Sequence, residues 1–89
     1  MTNQPRNKWS KEQIRAARKT GLAALLQNRG LTLRDRGGGN LEVEQYKGLI
    51  LKESYWRWPD RDLTGNTIDF YVKVLGMSFN DAMKEILGK

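Results

Sequence analysis

The sequence predicts a small α+β domain: two helices, an antiparallel sheet, then two more helices. Three observations carry this. Apolar residues recur at helical spacing over residues 10–30 and again from Asn66 to Leu87. Between them, from Leu31 to Trp58, apolar and polar residues alternate with the period of two of a half-buried strand. Gly, Pro and Asn cluster where one period gives way to the other, as turns require. Helices flanking a run of strands pack as a helical layer on a sheet.

Residues 1–9 are polar, contain Pro5 and read as a flexible basic arm; residues 10–89 read as a single domain. Ser10 with Gln13 three residues on is a capping box, and a helix follows to about Lys19. Thr20 is placed to cap a second helix, in which Leu22, Leu25 and Leu26 form a core stripe and Gly30 the stop. "LTLRDR" from Leu31 alternates as a strand, and the glycines at 37–39 make a turn. "LEVEQY" alternates again, with Leu41, Val43 and Gln45 on one face and Glu42, Glu44 and Tyr46 on the other. Lys47-Gly48 is a short turn and "LILKE" a third strand. "YWRW" is a fourth strand or the end of the third. Pro59 cannot donate to a ladder, so pairing ends there, and "DRDLTG" reads as a loop. Asn66 then caps a third helix, with Asp69 at N3 facing free N–H groups and the positive end of the dipole. Ile68, Phe70, Tyr71, Val72, Val74 and Leu75 supply its apolar side, and Gly76 ends it. Ser78 and Asp81 repeat the capping logic for a last helix, whose apolar positions are Phe79, Ala82, Met83, Ile86 and Leu87.

Composition narrows the function classes. Eighty-nine residues make one small domain with a modest core. There is no Cys and no His, which removes disulfides and the ordinary zinc site. No apolar run approaches the roughly 20 residues of a membrane span, and the first ten residues lack the apolar centre of a signal peptide. A cytoplasmic location, with no membrane partner, is the expectation. The net charge of +6 is uneven. Residues 1–40 hold nine Lys/Arg against two acids, and the rest of the chain is nearly balanced. Such asymmetry points to an anionic partner, of which nucleic acid is the commonest; a solvated basic face that only aids solubility is the plainer alternative.

Several clusters carry candidate chemistry. In "YWRW", Tyr55 and Arg57 face one way and Trp56 and Trp58 the other. Exposed aromatics beside Arg form a stacking platform for unpaired bases; the alternative is that the indoles fill the core. "RDRGGGN", Arg34 to Asn40, can follow a phosphate with backbone N–H groups and two guanidinium groups, or be a plain hairpin loop. Asp60 and Asp62 could in principle hold Mg²⁺ with a third carboxylate, although a solvated turn is much the better reading. No nucleophile–base pair is present, so catalysis within these residues is not expected, nor is a cofactor.

One segment carries a resemblance. "GNTIDFYVKVLGMSFNDAMKEIL", Gly65 to Leu87, resembles the end of the zinc-binding domain of bacterial DNA primases, which closes with a Gly-Asn-x-Ile-Asp-Phe helix start and a Ser-Phe helix. The resemblance extends over roughly residues 12–87, and its specificity lies in 65–87. It implies a zinc-ribbon-like small sheet between pairs of helices. Overlaid on this chain, the family's ligand pairs fall on Val43 and Tyr46 and on Arg57 and Asp60. None of the four is a ligand of the family's kind, so the chain looks like the zinc-free branch found beside Toprim domains in primase-like and relaxase-associated proteins of mobile elements. Arg57 and Asp60 could pair where a metal stood, and Val43 and Tyr46 could fill the space.

The function implied is a DNA-binding module, preferring single strands, of a primase-type replication or mobilisation protein. Backbone contacts would come from Arg34, Arg36, Lys47, Arg57 and Arg61, and stacking from Trp56 or Trp58. The rival is a protein-interaction module that docks on a helicase, polymerase or Toprim partner through its basic first helix.

Overall fold

The computed structural model describes residues 9–88. Helix α1 spans Lys11–Lys19 and α2 Leu22–Asn28. Five strands follow: β1 Leu33–Gly37, β2 Asn40–Val43, β3 Ile50–Lys52, β4 Tyr55–Trp58 and β5 Leu63–Asn66. A 3₁₀ turn at Pro59–Arg61 links the last two. Helix α3 begins as an α-helical turn at Thr67–Asp69 and continues with π-type spacing over Phe70–Val74; α4 is Phe79–Leu87. The expected α+β order stands, and the strands form one antiparallel meander in the order β1-β2-β3-β4-β5.

Caps set the helix boundaries. Ser10 and Gln13 make the expected capping box, Ser10 Oγ accepting from Gln13 N at 3.0 Å and Gln13 Oε1 from Ser10 N at 2.8 Å. Thr20 behaves differently from expectation. Its hydroxyl donates back to the Ala16 carbonyl at 2.8 Å, so it closes α1, and Gly21 opens α2 without a side-chain cap. The Leu22 N–H is satisfied instead by the Glu53 carbonyl of the β3–β4 turn, at 3.0 Å. Ser78 caps α4 by accepting from Asp81 N.

The sheet departs from the sequence reading at two places and decides an alternative at a third. Strand β2 ends at Val43, and residues 44–48 form a broader turn than Lys47-Gly48 alone. Tyr46 therefore escapes the alternation that put it beside Glu42, and packs instead with Trp58 and Phe70 at ring-centroid distances of 5.6 and 6.3 Å. "YWRW" is a strand of its own, joined to β3 by Glu53 and Ser54, with Glu53 at φ 58°. "DRDLTG" is not all loop: Leu63–Asn66 pairs with β4 from Tyr55↔Asn66 to Trp58↔Leu63. One glycine, Gly65, and the polar residues Thr64 and Asn66 mask a strand that pairs with β4.

The core lies between the sheet's inner face and the helices. It joins Ala17 of α1, Leu22 and Leu26 of α2, Val43, Leu49 and Leu51, both tryptophans of β4, Phe70 and Tyr71, and Ala82, Met83 and Ile86 of α4. Phe70 meets Trp56 edge-on at 5.6 Å, an arrangement aromatic pairs favour. Buried Thr67 ties the helical corner together by donating to the Thr20 carbonyl at 2.6 Å. Trp9, assigned by sequence to the arm, packs on this core and donates to Asn80 at 2.8 Å; the rest of the expected arm lies outside the described residues.

Candidate nucleic-acid interface

In an antiparallel pair, residues directly opposite share a face. The register therefore defines an outer row across the strands: Arg34↔Glu42, Glu42↔Ile50, Ile50↔Arg57 and Arg57↔Thr64. A second row begins Lys52↔Tyr55↔Asn66. The opposing set, with Leu51↔Trp56 and Leu33↔Val43, faces the core.

This geometry settles the orientation of "YWRW". Trp56 is 2 % exposed and Trp58 9 %. Their indole N–H groups donate to the Asn66 carbonyl at 2.8 Å and the Lys47 carbonyl at 3.0 Å. Both therefore serve the fold, and the stacking role assigned to either is corrected. The period of two sends Tyr55 and Arg57 outward. Tyr55 is 64 % exposed, and with Lys52, Arg57, Asn40, Ile50 and Thr64 it borders a shallow hollow on the outer face.

The other expected contacts divide. Arg34 and Arg36 project from β1, but each is bound to an acid. Arg34 reaches Glu44 Oε2 through Nη2 at 2.7 Å and Nε at 3.2 Å. Arg36 forks onto Glu42 Oε1 through Nε, at 2.8 Å, and Nη2. Glu42 also accepts the Gly48 N–H at 2.9 Å. That backbone bond, followed by Arg36, holds the Glu42 carboxyl below its ordinary pKa. Glu44 similarly raises the pKa of Arg34. These pairs lower the phosphate-binding capacity of both arginines, because an anion must displace a carboxylate. Lys47 lines the same hollow as the two pairs, and no acid lies within ion-pairing distance of it among the described residues. Arg61 lays its guanidinium over the Trp58 ring, 4.7 Å from the centroid, in a hollow it shares with Lys47. Lys52 and Arg57 are thus the cations that share the hollow with Tyr55, while Lys47 stands at the neighbouring hollow of the two ion pairs. Strict alternation was the signal for Tyr55; Lys52 became visible only through the pairing of β3 with β4.

The glycine turn is tightly prescribed. Gly37, Gly38 and Gly39 all have positive φ, at 89°, 63° and 82°. Asp35 Oδ1 already accepts the Gly37 N–H at 2.8 Å, so the nest expected in "RDRGGGN" has lost one donor to its own chain.

The four positions overlaid on a metal site do not converge. Val43 is buried and Tyr46 half-buried, as apolar filling requires. Asp60 lies by Gly48, where an added Cβ would come within 3.4 Å of its carboxylate. Arg57 is on the outer face, and no Arg57–Asp60 ion pair forms among the described residues. Valine and arginine are not zinc ligands, so these residues do not fit the family's metal. Among the described residues no three acidic side chains come together either, which leaves Asp60 and Asp62 in a turn.

The opening of the segment that carries the primase resemblance also has a local structural role. Asn66 Oδ1 accepts from Asp69 N and Asp69 Oδ2 from Asn66 N, both at 3.0 Å. A Cβ on Gly65 would stand 2.5 Å from Asp69 Cβ and Oδ2. Gly, Asn and Asp are thus all demanded by the passage from β5 into α3. No family model, no curated protein and no solved structure matches the chain. No helix of the described residues is long and apolar enough to cross a membrane.

Proposed function

We propose that this chain is a DNA-binding module that engages single strands on the outer face of its sheet. One observation carries the reading: Tyr55, 64 % exposed, is displayed beside Lys52 and Arg57 on a face that no helix of the described residues covers. An exposed ring accepts any base by stacking, worth about 1–3 kcal/mol per base, while neighbouring cations follow the phosphates. Lys47 extends the cationic track. The net charge of +6 adds long-range attraction. The module is non-catalytic, and in the cytoplasm it presents template to a primase-type replication or mobilisation protein of a plasmid, phage or other mobile element. The likeness of Gly65–Leu87 to the primase domain supports that last step.

The test is fluorescence anisotropy with labelled single- and double-stranded oligonucleotides at two salt concentrations. Single strands should bind more tightly, and affinity should fall steeply with salt. Tyr55→Ala should weaken single-strand binding by about 1–3 kcal/mol with an unchanged melting temperature. Arg57→Ala should reduce the salt slope by about one. Binding that neither substitution alters, or no binding at low salt, refutes the proposal.

A further inference from the structure

Two residues that the sequence assigns to the core stay outside it. Val72 is 38 % exposed and Phe79 40 %. The π-type turn of α3 buries Phe70 and Tyr71 side by side and leaves Val72 facing solvent. The two exposed residues are neighbours. With Ile14 and Ile68 they line one groove where α1 lies against α3 and α4.

Cations edge this groove. Lys11, Arg15 and Arg18 recur along one stripe of α1, with Ile14 between them, and Arg18 lines the groove itself. None of the three has an acid within ion-pairing distance among the described residues. The one carboxylate in the groove wall, Asp69, is held by the Asn66 N–H. An apolar floor with an unanswered cationic border is a surface of defined complementarity.

We propose that this groove docks an acidic amphipathic segment of a partner protein. Its apolar side chains cover Ile14, Val72 and Phe79, and its carboxylates meet Lys11, Arg15 and Arg18, as a helix laid in a groove does. A nucleic acid would satisfy the cations but leave the aliphatic side chains uncovered, since isoleucine and valine offer no ring to stack on. A second copy of the chain would bring a like-charged α1 against this one. The groove belongs to the helical layer and the Tyr55 face to the other side of the sheet, so the two surfaces do not compete.

The experiment is an amide NMR titration of the full chain. The probe is a synthetic 16-residue peptide with Leu at helical i, i+3, i+4 and i+7 spacing and Glu elsewhere. Shifts should concentrate on α1, Val72 and Phe79. A scrambled peptide of the same composition should bind at least tenfold more weakly. Val72→Ser and Phe79→Ser, both at exposed positions, should each weaken binding at least fivefold, and Arg15→Glu with Arg18→Glu should abolish it. Each variant's spectrum and melting temperature confirm that it is folded. Tyr55→Ala should leave peptide binding unchanged, so this proposal and the DNA reading fail separately. No localised shifts up to about 1 mM peptide, equal binding of the scrambled peptide, or shifts on the sheet face overturn it. Displacement of the peptide from the same amides by a single-stranded oligonucleotide also overturns it, and assigns α1 to nucleic acid.

Discussion

Replacing Gly65 by alanine should destabilise the protein by about 2 kcal/mol, and the reason is one neighbour. The three atoms nearest to an added Cβ all belong to Asp69, at 2.5, 2.5 and 2.8 Å. Gly65 does not have positive φ, so backbone strain contributes nothing and the clash is the whole cost. Overpacking of this kind costs about 1–3 kcal/mol. If Asp69 swings away to relieve it, the reciprocal cap with Asn66 is lost, for about 1 kcal/mol more. Against this, alanine restricts the unfolded chain and returns about 0.4–1 kcal/mol. For a domain of this size a net loss of about 2 kcal/mol lowers the melting temperature by about 8–16 °C. The decisive assay is a double-mutant cycle by urea denaturation. In an Asp69→Gly background the obstructing Cβ and carboxylate are gone, and Gly65→Ala should become neutral or stabilising. A melting temperature within about 1 °C of wild type for Gly65→Ala alone would refute the steric argument. So would an equal loss in both backgrounds.

Trp56→Ala should cost about 3–5 kcal/mol, a large part of the total stability of so small a domain, and thermal or urea unfolding will show it. Trp58→Ala, at the margin of the same core, should cost less but clearly more than Tyr55→Ala. A Trp56 variant with wild-type stability would contradict its burial. Glu42 predicts an acid dependence. Its folded pKa lies below 4.5, its ordinary value, through Gly48 N–H and Arg36, so its contribution is complete above that value and is lost as pH falls through the folded pKa. The stability gap between wild type and Glu42→Gln should therefore be widest near neutrality and close below pH 4.5; a gap that does not change with pH rejects the assignment. Because Val43, Tyr46, Arg57 and Asp60 do not form a donor set, a chelator should leave the melting temperature unchanged, and a fall of several degrees would show a metal bound elsewhere.

Local rules carried much of this protein. The capping boxes at Ser10 and Asn66 were legible because a cap is a contact over three residues, and both close as the spacing requires. The separation of Tyr55 and Arg57 from Trp56 and Trp58 followed from the pleat alone, but which pair faces outward was decided only by the packing of the two indoles into the core. The α+β order followed from where one hydrophobic period replaced the other. Other features depended on partners distant in sequence. Strand β5 exists because β4 offers it a ladder, although its own composition reads as a loop. Arg34 and Arg36 looked available for phosphate until strand register brought Glu42 and Glu44 to them. Tyr46 left its expected face because β2 stops early to make a turn. Val72 and Phe79 obey helical spacing, yet only the π-type turn and the seating of α1 against α3 and α4 decide that they remain in water. Spacing along one element is a property of the chain itself, whereas pairing, register and the sharing of buried volume exist only once separate elements meet.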